Sequence, residues 1–157
     1  MTVSQCGGDA FRLAFEQYTD TVYRVAVHNT PNQSDAEDVT QDVFLRLLQC
    51  GKHFKDAEHM KAWLIRVTIN LCRNRYRAAK REVLLEDIPQ EAPQAEDGSV
   101  LEAVKRLPES ERNAIYLHYY EGYTAAEIAD ILHSRTNTVL SWLRRGREKL
   151  RGTLDET

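Results

Sequence analysis

Residues 60–81 of the chain are MKAWLIRVTINLCRNRYRAAKR. Apolar side chains recur here every three or four residues, which predicts an amphipathic helix with one face against a core. We expect that buried face to contain Trp63, Leu64, Val67, Leu71 and Cys72. Residues 61–81 also carry seven basic and no acidic side chains. An unopposed basic helix is typical of nucleic-acid binding, and a solvated helix face is the simpler alternative.

The polar side of this predicted helix carries amides as well as guanidinium groups. Asn70 and Asn74 lie one helical turn apart, and Arg73 and Arg77 repeat that spacing. An amide offers a donor and an acceptor together, which suits base edges, whereas arginine suits phosphates. The pattern therefore favours a surface that binds nucleic acid.

Residues 34–51 predict a second amphipathic helix that has an acidic side. Ser34 and Glu37 have the spacing of a capping box at its start, and Gly51 suits its end. We expect its buried face to contain Val39, Val43, Phe44, Leu47 and Leu48. Its acids, Asp35, Asp38 and Asp42, share one face. They fit either complementarity to the helix dipole or a docking surface for a basic partner, and both interpretations stay open.

The remaining patterns predict an all-α protein of two small helical domains. Residues 82–98 hold six acidic side chains, two prolines and no basic side chain, which predicts a flexible acidic linker. Beyond it, Pro108 opens one helix, Thr124 and Glu127 form a capping box for the next, and residues 133–137 form a turn. A basic helix follows from residue 138. Two short helices joined by a tight turn, the second cationic, predict a helix-turn-helix, with a plain three-helix bundle as the alternative.

Other features of the sequence limit the class of protein. The three cysteines are odd in number and widely spaced, which favours reduced thiols in a cytosol. No apolar run is long enough to span a bilayer, so we expect a cytoplasmic protein without membrane insertion. Histidines and acids lack metal-ligand spacing, and we expect no metal site and no cofactor.

Five stretches, in one order, resemble the sigma-70 family of bacterial RNA polymerase sigma factors, in particular its small extracytoplasmic-function (ECF) group. They are FEQYTDTVYRVA, DAEDVTQDVFLRLL, AWLIRVTINLCRNRYR, LPESERNAIYLHYYEGYTAAEIADIL and TVLSWLRRGREKL. The resemblance covers about residues 10–150. It implies sigma region 2 over residues 9–81, an acidic linker over 82–98 and sigma region 4 over 99–152.

The resemblance implies a transcription initiation factor and not an enzyme, one that confers promoter recognition on RNA polymerase core. The residues that would bind core polymerase are Asp35, Glu37, Asp38, Gln41 and Asp42. Those that would bind the minus-ten element are Lys61, Arg66, Asn70, Arg73, Asn74 and Arg77. Those that would bind the minus-thirty-five element are Arg135, Thr136, Asn137, Thr138, Ser141, Arg144, Arg145 and Arg147. The implied partners are core polymerase, promoter DNA and an anti-sigma factor.

Four residues of the helix-turn-helix depart from the family's usual pattern. His133 stands where the family usually has glycine, and Arg135 stands where it usually has the N-cap serine, for which Ser134 is the substitute one position earlier. Leu140 and Trp142 stand where the family tends to have cations. A histidine predicts strain at this turn because glycine alone adopts positive φ without steric cost. Two fewer cations weaken phosphate anchoring.

Two alternative functions would each require different features of the chain. A stand-alone helix-turn-helix DNA-binding regulator would need no polymerase contact and no acidic second helix. A metal phosphohydrolase built on the histidines and aspartates would carry stoichiometric metal.

Overall fold

The computed structural model describes residues 8–86 and 100–155, with side chains over 10–81 and 100–152. Within these ranges every regular element is an α-helix, which confirms the predicted all-α fold. The helices are α1 (Gly8–His28), α2 (Gln33–Gln49), α3 (Ala57–Glu86), α4 (Val100–Lys105), α5 (Glu109–Tyr119), α6 (Ala125–Ile131) and α7 (Thr136–Asp155). None of these helices is both long and apolar enough to cross a membrane.

The chain divides into two compact units, Met1–Gln90 and Glu91–Thr157. In the first unit, α1, α2 and α3 pack against one another. Their shared core includes Tyr18, Val22, Val43, Leu47 and Leu64, all buried. Each large apolar side chain buried in this way stabilises the fold by about 1.5–3 kcal/mol.

The buried face of α3 differs from the predicted one. Leu64 and Cys72 are buried as expected, but Ile65 and Ile69 are buried too and were not expected. The other three expected core residues, Trp63, Val67 and Leu71, are only partly buried. Apolar residues surround most of this helix, so its sequence alone permits more than one rotation. Packing against both α1 and α2 selects the observed one.

The start of α2 corrects the predicted capping box of Ser34 and Glu37. Asn32 is the N-cap, and its Oδ1 accepts a hydrogen bond from the Asp35 N–H at 2.8 Å. Glu37 instead accepts from the side chain of Gln33 at 3.0 Å. At the other end Gly51 has φ +56°, as its predicted role requires. Leu48, expected in the core, is 48% exposed because it lies on the solvent side of α2.

The linker predicted over residues 82–98 overlaps helix α3, which continues to Glu86. Residues 87–98 of that predicted linker lie outside the described residues, and so does residue 99, the first of the predicted second domain.

In the second unit, α4, α5 and α6 all pack on α7. The predicted capping box of α6 is confirmed. The Thr124 N–H donates to Glu127 Oε1 at 3.0 Å, and the Glu127 N–H donates to Thr124 Oγ1 at 3.2 Å. Pro108 is the N-cap of α5 and not its first helical residue. Helix α7 begins at Thr136, two residues before the predicted start.

Gly146 sets the distance between α7 and α5, a role that the sequence did not reveal. A Cβ atom built on Gly146 would lie 2.7 Å from Ile115 Cγ1 and 3.0 Å from Ile115 Cδ1. Such contacts are too short for an alanine without a shift of Ile115, which is itself buried. Glycine therefore lets the two helices approach closely.

Candidate nucleic-acid interface and acidic surface

Five of the six α3 residues predicted to bind the minus-ten element lie on one side of the helix. At about 100° per residue they span an arc of roughly 100°, away from the buried Leu64 and Cys72. We call them the α3 stripe: Arg66, Asn70, Arg73, Asn74 and Arg77. Both asparagines and Arg77 are exposed, and the other two arginines are half-buried. The structure therefore places amides and guanidinium groups together on the solvent side of α3.

The sixth predicted residue, Lys61, lies on a different side of α3. It precedes the buried Ile65 by four residues, which aligns it with the core-facing side at the first turns of the helix. Its side chain is half-buried. The structure does not bring Lys61 together with the α3 stripe.

Hydrogen bonds and ring contacts fix the beginning of α3. Asp56 Oδ1 accepts from the His59 N–H at 2.8 Å, and His59 Nδ1 accepts from the Lys55 N–H at 3.0 Å. The Phe54 ring is buried and meets the rings of His59 and Trp63 edge-on, both at 5.5 Å between centroids. Trp63 thus supports the loop before α3 from a partly buried position.

Tyr18 connects α1 to the same turn. Its hydroxyl donates a hydrogen bond to the Ala57 carbonyl oxygen at 3.3 Å. Burial, and then the nearby carboxylates of Glu58 and Asp56, raise the pKa of Tyr18. The shift favours the protonated phenol, which is the form that donates to Ala57.

The aspartates of α2 form an acidic surface that a basic residue of α3 already contacts. Arg75 Nη1 lies 3.5 Å from Asp35 Oδ1, and its Nη2 lies 3.8 Å from Asp38 Oδ2 and 4.0 Å from Asp42 Oδ2. This corrects the sequence interpretation that all seven basic residues of 61–81 are unopposed. Arg75 lies on the α2 side of α3, away from the α3 stripe, and its partners come from another helix.

The other two residues predicted to bind core polymerase occupy the adjoining side of α2. Glu37 and Gln41 are both exposed and lie next to Leu45, which is 52% exposed. All three aspartates of the acidic surface also remain accessible, with side chains 38–56% exposed. The surface can therefore accept further basic groups despite its contact with Arg75.

The turn between α6 and α7 has the positive φ that was expected where the family usually has glycine. His133 has φ +52°, the only positive φ among non-glycine residues in the described parts of the chain. The Ser134 N–H donates to the Ala129 carbonyl at 2.8 Å, and the His133 N–H donates to the Asp130 carbonyl at 3.4 Å. These two hydrogen bonds form a Schellman motif, in which glycine usually occupies the position that His133 has here. The four-residue connection, 132–135, then delivers the chain into α7.

Most residues predicted to bind the minus-thirty-five element are exposed on α7. Asn137, Ser141 and Arg144 lie at spacings of four and three residues and share one side of the helix. Ser141 Oγ donates to the Asn137 carbonyl at 3.1 Å. The remaining predicted residues are all exposed: Arg135, Thr136, Thr138, Arg145 and Arg147.

Two basic side chains of α7 contact α5. Arg147 Nη1 donates to the Tyr119 hydroxyl at 3.0 Å. Lys149 Nζ lies 2.7 Å from Glu111 Oε2, a buried carboxylate. Both contacts therefore hold α7 against α5. Two basic side chains of α7 thus take part in packing within the second unit.

Acids and histidines do not assemble into a metal centre in the described ranges, where no group of three His, Cys, Asp or Glu side chains could hold an ion.

Comparison with known proteins gives two family matches, in order along the chain. The family model described as Sigma-70 region 2 matches residues 14–82, and that described as Sigma-70, region 4 matches residues 97–150. The first match contains α2 and the α3 stripe, and the second contains α4 to α6 and most of α7.

Several curated relatives carry the same kind of name. The chain is 36% identical to the ECF RNA polymerase sigma factor SigE of Mycolicibacterium smegmatis, over 88% of this chain and 59% of that protein. It is 30% identical to the ECF RNA polymerase sigma factor SigM of Mycobacterium tuberculosis, over 90% of this chain and 75% of that protein. A third relative, BldN of Streptomyces coelicolor, is 27% identical over 79% of this chain and 52% of its own length. The chain thus spans little more than half the length of SigE and BldN.

Two solved structures share the fold. One is the sigma factor RpoE in complex with the anti-sigma factor NepR from Bartonella quintana, with a TM-score of 0.78, 24% identity and coverage of 92% of this chain and 96% of that one. The other is CnrH in complex with the cytosolic domain of CnrY, with a TM-score of 0.73, 23% identity and coverage of 98% and 93%.

Proposed function

Because the chain belongs to the sigma-70 family, as an ECF RNA polymerase sigma factor, we propose that it confers promoter recognition on RNA polymerase core in transcription initiation. It acts in the cell interior as a specificity subunit and performs no catalysis of its own. The observation that carries the proposal is the α3 stripe, where amides and guanidinium groups share the exposed side of the helix within the region 2 match.

The α3 stripe would bind the minus-ten element. Asn70 and Asn74 would contact base edges, since an amide pairs a donor with an acceptor. Arg66, Arg73 and Arg77 would hold phosphates and release counterions. Lys61 lies away from the stripe, and we assign it no contact with bases in this proposal. Melting would need pockets for extruded bases, to which the loop around Phe54 contributes support.

The acidic surface of α2 would bind a basic part of core polymerase. Its three aspartates remain partly exposed, and Glu37 and Gln41 extend it along the helix. The opposite charges of α2 and the α3 stripe would direct one element to the polymerase and the other to DNA.

The second unit would bind the minus-thirty-five element through α7. Its exposed polar side chains would lie in the major groove, as the second helix of a helix-turn-helix does. One solved neighbour is a sigma factor in complex with an anti-sigma factor. We extend that to this chain and propose an anti-sigma factor as a third partner.

Run-off transcription with purified core polymerase tests the proposal. Asp38→Arg reverses charge on the acidic surface and should weaken co-migration with core polymerase about tenfold. Asp20→Arg makes the same charge change on the exposed side of α1 and should leave core binding intact. If Asp38→Arg also left promoter-directed transcription unchanged, a stand-alone DNA-binding regulator would be the better description.

A paired substitution tests the α3 stripe separately. Asn70→Ala with Asn74→Ala should retain core binding but lose promoter opening. Lys61→Ala should have the smaller effect of the two, because Lys61 lies on another side of α3. Equal loss from both changes would contradict the assignment of base contacts to the stripe.

A further inference from the structure

Leu140 is an apolar side chain in a polar part of α7. It is the fifth residue of the helix and is 49% exposed. Its neighbours one turn away are Thr136, Asn137 and Arg144, at i−4, i−3 and i+4, and all three are exposed. The predicted DNA-binding side of α7 therefore contains one leucine among hydroxyl, amide and guanidinium groups.

The fold of the second unit leaves Leu140 partly in solvent. The buried side of α7 is formed by Val139, Leu143 and Gly146, which lie on a different side of the helix. A single exposed leucine is common on protein surfaces and by itself indicates no partner. The position of Leu140 is the informative part, because the N-terminal residues of the second helix contact base edges in a helix-turn-helix.

The charges around Leu140 indicate which partner would cover it. Arg144 and Arg147 follow Leu140 by four and seven residues on the same side of α7, and both are exposed. Cations flanking an apolar group fit duplex DNA, whose phosphates border a major groove that carries thymine methyl groups. An apolar protein partner would gain little from guanidinium groups beside the leucine.

We infer that Leu140 recognises the C5-methyl group of a thymine in the minus-thirty-five element. The inference rests on the proposed function and adds a specificity-determining residue to it. Thymine differs from uracil by this one methyl group, which lies in the major groove. Burial of one such group is worth about a fourfold change in affinity. Leu140 thus adds base discrimination where a cation would add phosphate affinity.

Deoxyuridine scanning of the promoter tests this inference with the full chain bound to core polymerase. Each thymine of the minus-thirty-five element is replaced in turn by dU, and binding is measured by competition at one fixed salt concentration. We expect about fourfold weaker binding at one position, or at most two adjacent ones, and unchanged binding elsewhere.

The variants identify the residue that senses the methyl group. Leu140→Ala should bring the thymine-to-uracil ratio at that position to one. Leu101→Ala removes a leucine of similar exposure, 45%, from α4 and should leave the ratio unchanged. Because the readout is a ratio for one protein on two duplexes, partial unfolding of a variant does not mimic the result.

Two results would overturn the inference. If the wild-type holoenzyme bound the promoter but no dU position weakened binding, Leu140 would sense no methyl group. If Leu140→Ala kept the full thymine-to-uracil ratio, another residue would be responsible. Failure of the wild-type chain to direct core polymerase to any promoter would instead overturn the proposed function, and the inference with it.

Discussion

Gly146→Ala tests the close approach of α7 to α5. Alanine is normally the better helix residue, by about 1 kcal/mol, so a helix considered alone predicts stabilisation. The structure predicts the opposite sign. The added Cβ would lie 2.7 Å from Ile115 Cγ1, and Ile115 is 1% exposed, so it has no solvent to move into.

The expected size follows from the two opposing terms. Overpacking of a tight core contact costs about 1–3 kcal/mol, against which helix propensity returns about 1 kcal/mol. We therefore expect Gly146→Ala to lower the free energy of unfolding of the second unit by up to roughly 2 kcal/mol. In a domain of this size, each 1 kcal/mol lowers Tm by about 4–8 °C.

Gly152→Ala is the matched control in the same helix. No heavy atom of the described residues lies within 4 Å of a Cβ built there. That change should stabilise the second unit, by up to about 1 kcal/mol. The chain has two tryptophans, so a Trp63→Phe background leaves Trp142 as the fluorescent reporter of the second unit in urea unfolding.

The reasoning would be refuted if Gly146→Ala stabilised the unit as much as Gly152→Ala does. A double variant adds a second criterion. Ile115→Ala costs about 2–5 kcal/mol by itself, but it removes the atoms that the new Cβ would meet. In that background Gly146→Ala should no longer destabilise, and an unchanged cost would place the obstruction elsewhere.

Three further predictions concern single side chains. His133→Gly should stabilise the second unit by about 0.5–1 kcal/mol in urea unfolding, because glycine adopts φ +52° without strain. Glu127→Gln should remove part of the acid sensitivity of the second unit. The pKa of Glu127 is lowered by hydrogen bonds from the backbone and side chain of Thr124, so its contribution is present at neutral pH and lost as pH falls through the acidic range. Arg75→Gln should strengthen binding to core polymerase up to about fivefold at low salt, measured by titration, because it unmasks the carboxylates of α2.

His133→Ala should not reproduce the gain of His133→Gly, since alanine keeps the steric cost of positive φ. The difference in unfolding free energy between wild type and Glu127→Gln should shrink between pH 7 and about pH 3, and a constant difference would count against the capping explanation. Arg77→Gln removes the same charge from the α3 stripe and should leave core binding unchanged. Weaker binding by Arg75→Gln would mean that Arg75 organises the acidic surface.

The amino-acid sequence alone determined the all-α class, the segments that become the main helices and the family resemblance. These depend on local signals such as apolar periodicity, the Thr124–Glu127 capping box and the glycine at residue 51. The same signals located the asparagines and arginines of the α3 stripe, because residues three and four apart must share a side of a helix.

Tertiary structure decided how each helix is rotated and which charges meet. Ile65 and Ile69 are in the core and Leu48 is not, since neighbouring helices select one of several apolar sides. Arg75 pairs with aspartates 33 to 40 residues away, and Gly146 admits Ile115, which lies 31 residues earlier in the chain. Contacts at such separations leave no local pattern, because they depend on where whole helices come to lie and not on the spacing within one of them.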